Sequence, residues 1–379
     1  MKTLGQIMII LLVQQLKDYH RMFERKRTVV TVSGIRPDFI RMSQVFKKLD
    51  DAKWCDHILI HTGQHYDKLL SDVFFEDLEI RKPDYNLAIG GSGKRHYHQQ
   101  AELGVKIMDL LDREQIDPDV VLFLGDSNSV LASVPLRKEG IKIGHIEAGM
   151  RSYDERMLEE INRKVCDHVS NFLFVYHENY KQKALKEGIP TEKIFVVGNT
   201  VVEPLKKIAD LSYKGRDSHI LLDIHRPENF KYPDRLEKIL KFANMCSDKT
   251  KIPVKMLNFG RTTKAIKAYD LSLGNIEMID LMGYKDFVRY MQDSLFIISD
   301  SGTAQEEPAI LQKPVIVPRD FTERPESVEN NNSIMLDLDD IKGYNSIIEW
   351  CLSNKKMSSD WLGDGNTSDT IVKCLERVL

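Results

Sequence analysis

From Thr28 onward, short apolar runs alternate with stretches whose apolar residues recur every three to four positions. The run RTVVTVSG (27–34) is β-branched and ends in glycine, which predicts a buried strand. IRPDFIRMSQVFKKLD (35–50) predicts a turn and an amphipathic helix, with Ile40, Met42, Val45, Phe46 and Leu49 at helical spacing. HILIHTG (57–63) predicts a second strand, followed by a helix over 67–76, a long helix near 96–114 and the strand VVLFLG (120–125). The stretch from Val121 to Lys164 reads as strand, turn, helix, strand, loop and helix. Strand LFVYH (173–177), a helix closing in KEG, and strand IFVVGN (194–199) come next. Sustained alternation of this kind predicts a doubly wound parallel α/β sheet.

Between Val201 and Ser218 the pattern changes to a short helix and the polar piece DLSYKGRDSH, read as a linker. A second alternation starts at HILLDIH (219–225). It continues through a helix over 234–245, VKMLNFG (254–260), IEMIDL (276–281), LFIISDS (295–301), a helix after Gly302, and PVIVPRD (314–320). The chain closes with DGNTSDTIVKCLERVL, where Asn366, Thr367 or Ser368 can cap a last helix. The expected organisation is an N-terminal extension (1–27), a Rossmann-like domain (28–205), a linker (206–218), a second Rossmann-like domain (219–360) and a C-terminal helix (361–379). Two such domains facing one another leave a cleft, a common place for a ligand.

Length and composition fit this division. A chain of 379 residues is long for one domain and comfortable for two. With 42% apolar and 29% charged residues it has the make-up of an ordinary soluble globular protein. A net charge of −3 argues against a nucleic-acid binder that works by bulk electrostatics. Cys55, Cys166, Cys246, Cys351 and Cys374 are scattered, odd in number and without a CxxC pair. Neither a disulfide framework nor a zinc site is expected, and a reducing, cytoplasmic setting fits. Ile7–Val13 is apolar but far short of the ~20 residues that span a bilayer, and no small-residue cleavage site follows it. The first 27 residues are therefore expected to be a non-catalytic appendage, either an added amphipathic helix or an extension upstream of a start at Met22, with no membrane span.

Candidate chemistry gathers where strands end, the edge at which open parallel sheets bind ligands. Asp126, Glu147 and Glu159 fall at the ends of two strands and on the helix that follows. The turn Ser33–Asp38 opens a helix whose N–H groups can hold an anion, with Arg36 or Arg41 adding charge. It is not GxGxxG, so a nicotinamide cofactor is not expected. In the second half, Ser301, Gly302 and Thr303 close a strand as a phosphate cradle, Glu307 is placed to accept ribose hydroxyls, and Arg324 reaches the same edge. His225 comes to that edge in DIHRPENF. Three carboxylates and an imidazole, without cysteine or histidine clusters, suit proton transfer better than a metal. Taken singly, Asp126 can cap a helix, Glu159 can belong to a capping box and His225 can be structural.

The order of blocks narrows these alternatives. GIRPDFIR (34–41), GDSNS (125–129), HIEAGMRS (145–152), EEINR (159–163), GNTVVE (198–203), HRPEN (225–229), SDSGTAQEEP (299–308), RDFTERPE (319–326) and GDGN (363–366) together resemble the UDP-N-acetylglucosamine 2-epimerase family. The resemblance implies a GT-B-like pair of domains, UDP held mainly by the second, and a final helix packed back on the first. It implies anti elimination of UDP to a 2-acetamidoglucal and re-addition with C2 inverted, with no cofactor. Carried over residue by residue, the catalytic groups are Asp126, Glu147, Glu159 and His225, with Glu160 the neighbour that a register error would substitute for Glu159. The nucleotide contacts are Arg36, Arg41 (usually lysine), Phe287, Ser301, Gly302, Glu307 and Arg324, with Thr303 beside them.

The expected product is a UDP-N-acetyl sugar for surface polysaccharide, made by a cytoplasmic homodimer. A hydrolysing relative and a glycosyltransferase of the same fold are the alternatives. The departures are Leu158 for a proline, Thr303 for a second glycine, Pro227 for an arginine, and Phe259-Gly260 for a His-Pro pair. That histidine serves a regulatory substrate site in bacterial members, so such activation is not expected here. HTGQHYD (61–67) and IRKPDYNL (80–87) look closer to relatives acting on modified UDP-N-acetyl sugars.

Overall fold

Strands with no polar face dictate sheets covered on both sides. Val120–Leu124 and His219–Asp223 are buried at every position, as central parallel strands require. A computed structural model describes residues 25–63, 72–90, 95–353 and 356–379 of the chain. The apolar run Ile7–Val13, the end of HTGQHYD and the first half of the helix expected over 67–76 lie outside the described residues.

The first sheet consists of β1 (Arg27–Ser33), β2 (Cys55–His61), β3 (Tyr85–Asn86), β4 (Val120–Leu124), β5 (Ile143–Ile146), β6 (Phe172–Val175) and β7 (Ile194–Val196). The second consists of β8 (His219–Asp223), β9 (Val254–Leu257), β10 (Glu277–Ile279), β11 (Ser294–Ser299), β12 (Val315–Val317) and β13 (Ser333–Met335). Their orders are β3-β2-β1-β4-β5-β6-β7 and β10-β9-β8-β11-β12-β13, with parallel pairing throughout. Strand order reverses between β1 and β4 in one sheet and between β8 and β11 in the other, and an open α/β sheet offers a crevice at such points. The loops after these four strands carry Arg36, Asp126, His225 and Ser301.

The helices used below are α1 (Arg36–Asp50), α2 (His96–Arg113), α3 (Leu158–Val169), α4 (Glu178–Lys186), α5 (Val202–Ile208), α6 (Pro233–Thr250), α7 (Tyr284–Asp293) and α8 (Thr367–Val378). One apolar cluster runs from Val29 and Leu122 of the first sheet through Leu205 and Val288 to Leu221 and Ile297 of the second. Separate clusters fill the outer faces, around Val30, Ile107 and Phe123 on one side and around Leu222, Phe242 and Ile298 on the other. Each fully buried side chain of this size stabilises by about 1.5–3 kcal/mol. The shared middle layer therefore ties the two sheets together as well as filling each. α8 lies on α1 and α5 of the first unit, with Lys48 Nζ 2.8 Å from Asp369 and the Ser368 hydroxyl donating to Glu203 at 2.6 Å.

Four local expectations are corrected. The segment after Gly302 is a 3-10 turn (Thr303–Gln305) and a four-residue helix (Glu307–Ile310), because Pro308 supplies no N–H to a longer one. VKMLNFG leaves the sheet at Leu257, and Gly260 opens a helix over Gly260–Ala268. Asn366 stands at the start of α8 without a side-chain cap, since Ser368 bonds Glu203 instead. Strand β13 and the helix Tyr344–Ser353 lie in a stretch for which the pattern predicted no element.

Candidate active site

At the edge of the first sheet, the turn after β1 is closed by its own acid. Asp38 accepts from the N–H groups of Gly34 and Ile35, both at 3.4 Å, so the donors read as an anion site already face a carboxylate. Burial pushes that carboxyl up to about 7, against the pull of Arg41 and the N–H groups. Arg36 donates to the Met282 carbonyl at 3.0 Å, bridging toward the second sheet. Arg41 is buried, paired with Glu147 and 3.2 Å from Asp38. It lies beneath the acids.

Glu147 is 1% exposed and holds φ +66°, left-handed backbone that costs a residue with a Cβ about 1–2 kcal/mol. Its pairing with Arg41, and with Arg324 at 3.6 Å, offsets the strain. Gly125, at φ +71°, takes a left-handed backbone that glycine adopts without strain. A Cβ there would stand 3.4 Å from Arg41 Nη2 and 3.6 Å from Glu147 Oε1. Asp126 follows, paired with Arg163, while its carbonyl accepts from Asn162 at 2.8 Å. Burial alone would raise its pKa, but the guanidinium groups of Arg163, Arg226 and Arg41 prevail and hold it below the usual carboxylate range.

Glu159 and Glu160 differ in kind. Glu160 is buried and accepts from the Ser152 N–H and hydroxyl at 3.0 Å and the Tyr153 N–H at 3.2 Å, so it builds the loop before α3. Glu159 is half-buried and 3.5 Å from Arg226 of the second sheet. Of the two acids, Glu159 is the one that faces across.

At the edge of the second sheet, His225 is half-buried. Its Nδ1 lies 2.9 Å from Asp223, and its main-chain N–H donates to Asp300 at 3.0 Å. Burial opposes the imidazolium, but Asp223 and Asp300 outweigh it and raise the histidine's pKa. Asp223, His225 and Asp300 bring their ligand atoms within 4.8 Å of one another. Their acceptors are nevertheless committed to hydrogen bonds. Asp300 also takes the Arg226 N–H and Asn229 Nδ2, and Asp223 takes the Ser299 hydroxyl. That arrangement orients an imidazole rather than surrounding an ion. The Phe259 ring centre is 4.9 Å from that of His225.

The Ser301 and Thr303 hydroxyls are 3.1 Å apart. Between them, a Cβ at Gly302 would collide with the Arg324 guanidinium, which is 2.7 Å from both Glu306 and Glu323. Glu307 accepts from the Tyr284 hydroxyl at 2.6 Å, and burial pushes it up to about 7. Phe287, one turn along α7, is half-buried against the shared core.

Two of the acids thus meet a partner from the opposite edge, Glu159 with Arg226 and Glu147 with Arg324, while Arg163, the partner of Asp126, lies 3.8 Å from Glu323 of that edge. The Nε of Arg226 is buried and has no hydrogen-bond acceptor among the described residues. Sequence reasoning passed over Arg163, Arg226, Glu306 and Glu323, although all four lie inside the blocks EEINR, HRPEN, SDSGTAQEEP and RDFTERPE. Their place inside those blocks was the available signal.

The chain matches known proteins in sequence and in fold. A sequence model described as UDP-N-acetylglucosamine 2-epimerase matches residues 47–376. The chain is 38% identical over 359 residues to a UDP-N-acetylglucosamine 2-epimerase of Methanococcus maripaludis, covering 90% of this chain and 96% of that one. It is 34% identical to a UDP-2,3-diacetamido-2,3-dideoxy-D-glucuronate 2-epimerase of Pseudomonas aeruginosa, over 81% and 88% of the two chains. Its fold superposes with a TM-score of 0.84 on the Methanocaldococcus jannaschii UDP-GlcNAc 2-epimerase solved with UDP-GlcNAc and UDP, at 33% identity over 92% and 99%. The chain belongs to the UDP-N-acetylglucosamine 2-epimerase family.

Proposed function

We propose that this enzyme interconverts UDP-N-acetylglucosamine and UDP-N-acetylmannosamine by eliminating UDP and adding it back. The observation that carries the reading is the opposition of Asp126, Glu147 and Glu159 on one edge to His225, Arg226 and Arg324 on the other. Elimination breaks the C2–H bond and delivers the proton to a carboxylate. The C1–O bond then breaks, its electron pair stays on the departing diphosphate, and C1=C2 forms. Return of UDP to C1 and of a proton to the opposite face of C2 inverts that carbon.

Asp126 and Glu159 reach the cleft and are assigned the two proton transfers. Glu147, clamped between Arg41 and Arg324, is assigned the fixed negative charge that holds those guanidiniums in place. His225, oriented through Nδ1 by Asp223, presents Nε2 to the sugar diphosphate, and Arg324 and Arg226 stabilise charge as UDP leaves. Ser301, Gly302 and Thr303 line the diphosphate. Arg36, Phe287 and Glu307 enclose the nucleoside.

A cytoplasmic setting is supported by five free cysteines, four of them buried. Among the described residues no helix is long and apolar enough to cross a membrane. A homodimer follows from the family resemblance. Incubation with UDP-N-acetylglucosamine in deuterated water, followed by NMR, tests the reaction. Deuterium at C2 with the sugar still joined to UDP is expected. Free N-acetylmannosamine would point to hydrolysis instead, and absence of exchange would overturn the reading.

A further inference from the structure

His145 stands on β5 two residues before Glu147 and is fully buried. Its Nδ1 is 2.6 Å from Asp167 on α3, and its Nε2 is 2.7 Å from the carbonyl oxygen of Gly125, the residue before Asp126. Asp167 is also bound by Arg151 at 2.8 Å and by the Gly149 N–H at 3.0 Å, so it is an ionised acceptor. A carbonyl cannot donate. Both ring nitrogens therefore face acceptors, and both must carry hydrogen. The charges agree: Arg151 and an imidazolium balance Asp167 and Glu187, which lies 2.6 Å from Arg151.

We propose that His145 is a permanent buried imidazolium and the positioning residue that pins the Gly125 carbonyl, and through it the Asp126 carboxylate, to the edge of the first sheet. The groups facing its ring are Asp167 and Cys166 of α3, with Arg151 and Glu187 behind them. Burial opposes the charge, but the Cys166 and Asp167 side chains outweigh it and hold the imidazole well above its ordinary pKa. Gly125 is fastened twice, since its N–H donates to Ile146 at 2.9 Å while its carbonyl accepts from His145. Asn162 fixes the next carbonyl. The left-handed Gly125 hinge thus has no freedom to swing Asp126 away from the cleft. The positioning role rests on the proposed catalytic part of Asp126; the protonation state does not.

Histidine-selective ¹⁵N labelling of the full chain reads the protonation state directly, with His145 assigned by its loss in His145→Gln. Two protonated ring nitrogens at neutral pH are expected, and a neutral-imidazole pattern would overturn the proposal. Positioning is read from two variants. The Gln amide nitrogen overlays Nε2 and keeps the donor to Gly125, whereas the Asn amide nitrogen overlays Nδ1 and keeps only the donor to Asp167. His145→Asn is expected to lose about 10- to 100-fold in kcat with KM and UDP affinity unchanged, and His145→Gln to lose less. Equal losses, or a fall confined to KM, would refute the positioning role. If neither variant folds, His145 is assigned through its backbone correlations in uniformly ¹³C,¹⁵N-labelled wild-type protein, and its ring ¹⁵N pattern still decides the imidazolium. If the wild-type enzyme shows no C2 exchange, the functional reading fails while the ¹⁵N result stands.

Discussion

The two sheet edges that face each other are held in opposite ways. At the first, side chains do the holding: Arg41 and Arg324 clamp Glu147, Arg163 clamps Asp126, and His145 and Asn162 pin the carbonyls around them. At the second, main-chain N–H groups of His225 and Arg226 are tied to Asp300, and that of Ser301 to Ser299. Exposure is uneven within each edge, with His225 at 32% and Arg324 at 3% on the second, and Glu159 at 38% and Glu147 at 1% on the first. A wall that removes a weakly acidic proton needs carboxylates that do not move. A wall that releases and recaptures a diphosphate needs cations at hand, and Arg226 and Arg324 stand there, paired across the cleft with Glu159 and Glu147.

The sharpest way to break this contrast is at Asp126. Asp126→Asn keeps the shape and removes the carboxylate proposed to move a proton, so turnover is expected to fall by about 10²–10⁴-fold with UDP affinity retained. Calorimetric titration with UDP beside an NMR turnover assay measures both. Intact turnover would remove Asp126 from the chemistry.

Stability separates the clamped acid from the facing one. Glu147→Gln removes the buried carboxylate that pairs with Arg41, while Arg324 keeps Glu306 and Glu323, and should cost about 3–5 kcal/mol in denaturant unfolding. Glu159→Gln should cost under about 1 kcal/mol while still impairing turnover. Equal destabilisation would erase the distinction between the two acids.

The second edge is tested by pH. Glu307, raised to about 7, is protonated below that pH in the free enzyme, whereas ribose hydroxyls favour the carboxylate. UDP binding should therefore release a proton, and affinity should climb with pH until about 7 and then level. Comparison with Glu307→Gln removes the titration of UDP itself. Identical pH profiles for the two proteins would exclude Glu307 from the nucleoside pocket.

The smallest effect is expected at Leu158, the first residue of α3 and exposed. Proline at such a position supplies the helical φ without losing a bonded N–H, so Leu158→Pro should be neutral or stabilising by about 0.4–1 kcal/mol. A lower melting temperature would show that the entry to α3 is not an ordinary helix start.

How much of this could be read from residues alone follows from the range of the forces involved. Runs such as VVLFL and HILLD revealed the strands, and strand ends located Asp126, Glu147, His225 and Ser301, because periodicity and edge position are local properties. The partners of these residues were not legible. Arg226 and Glu159 lie 67 positions apart, and nothing local couples them. His145 looked like one more residue of a buried strand; only the fold brings Asp167 and the Gly125 carbonyl to its two nitrogens. The segment after Gly302 misled for the reverse reason, since Pro308 cuts short what its surroundings favour. Strand β13 was hidden by its surroundings, a short apolar run set between Asn330, Asn331 and Asn332 on one side and Asp337 on the other.

The central claim is that one wall moves the C2 proton while the other breaks and remakes the bond to UDP. It is tested most directly with UDP-N-acetylglucosamine carrying ¹⁸O in the bridge between C1 and the β-phosphorus. Elimination and re-addition predict that label in recovered UDP-sugar scrambles into the non-bridging β-phosphate oxygens as C2 acquires deuterium from solvent. Deuterium at C2 with the bridging label fully retained would contradict the account, because C2 would then have been inverted without UDP ever leaving.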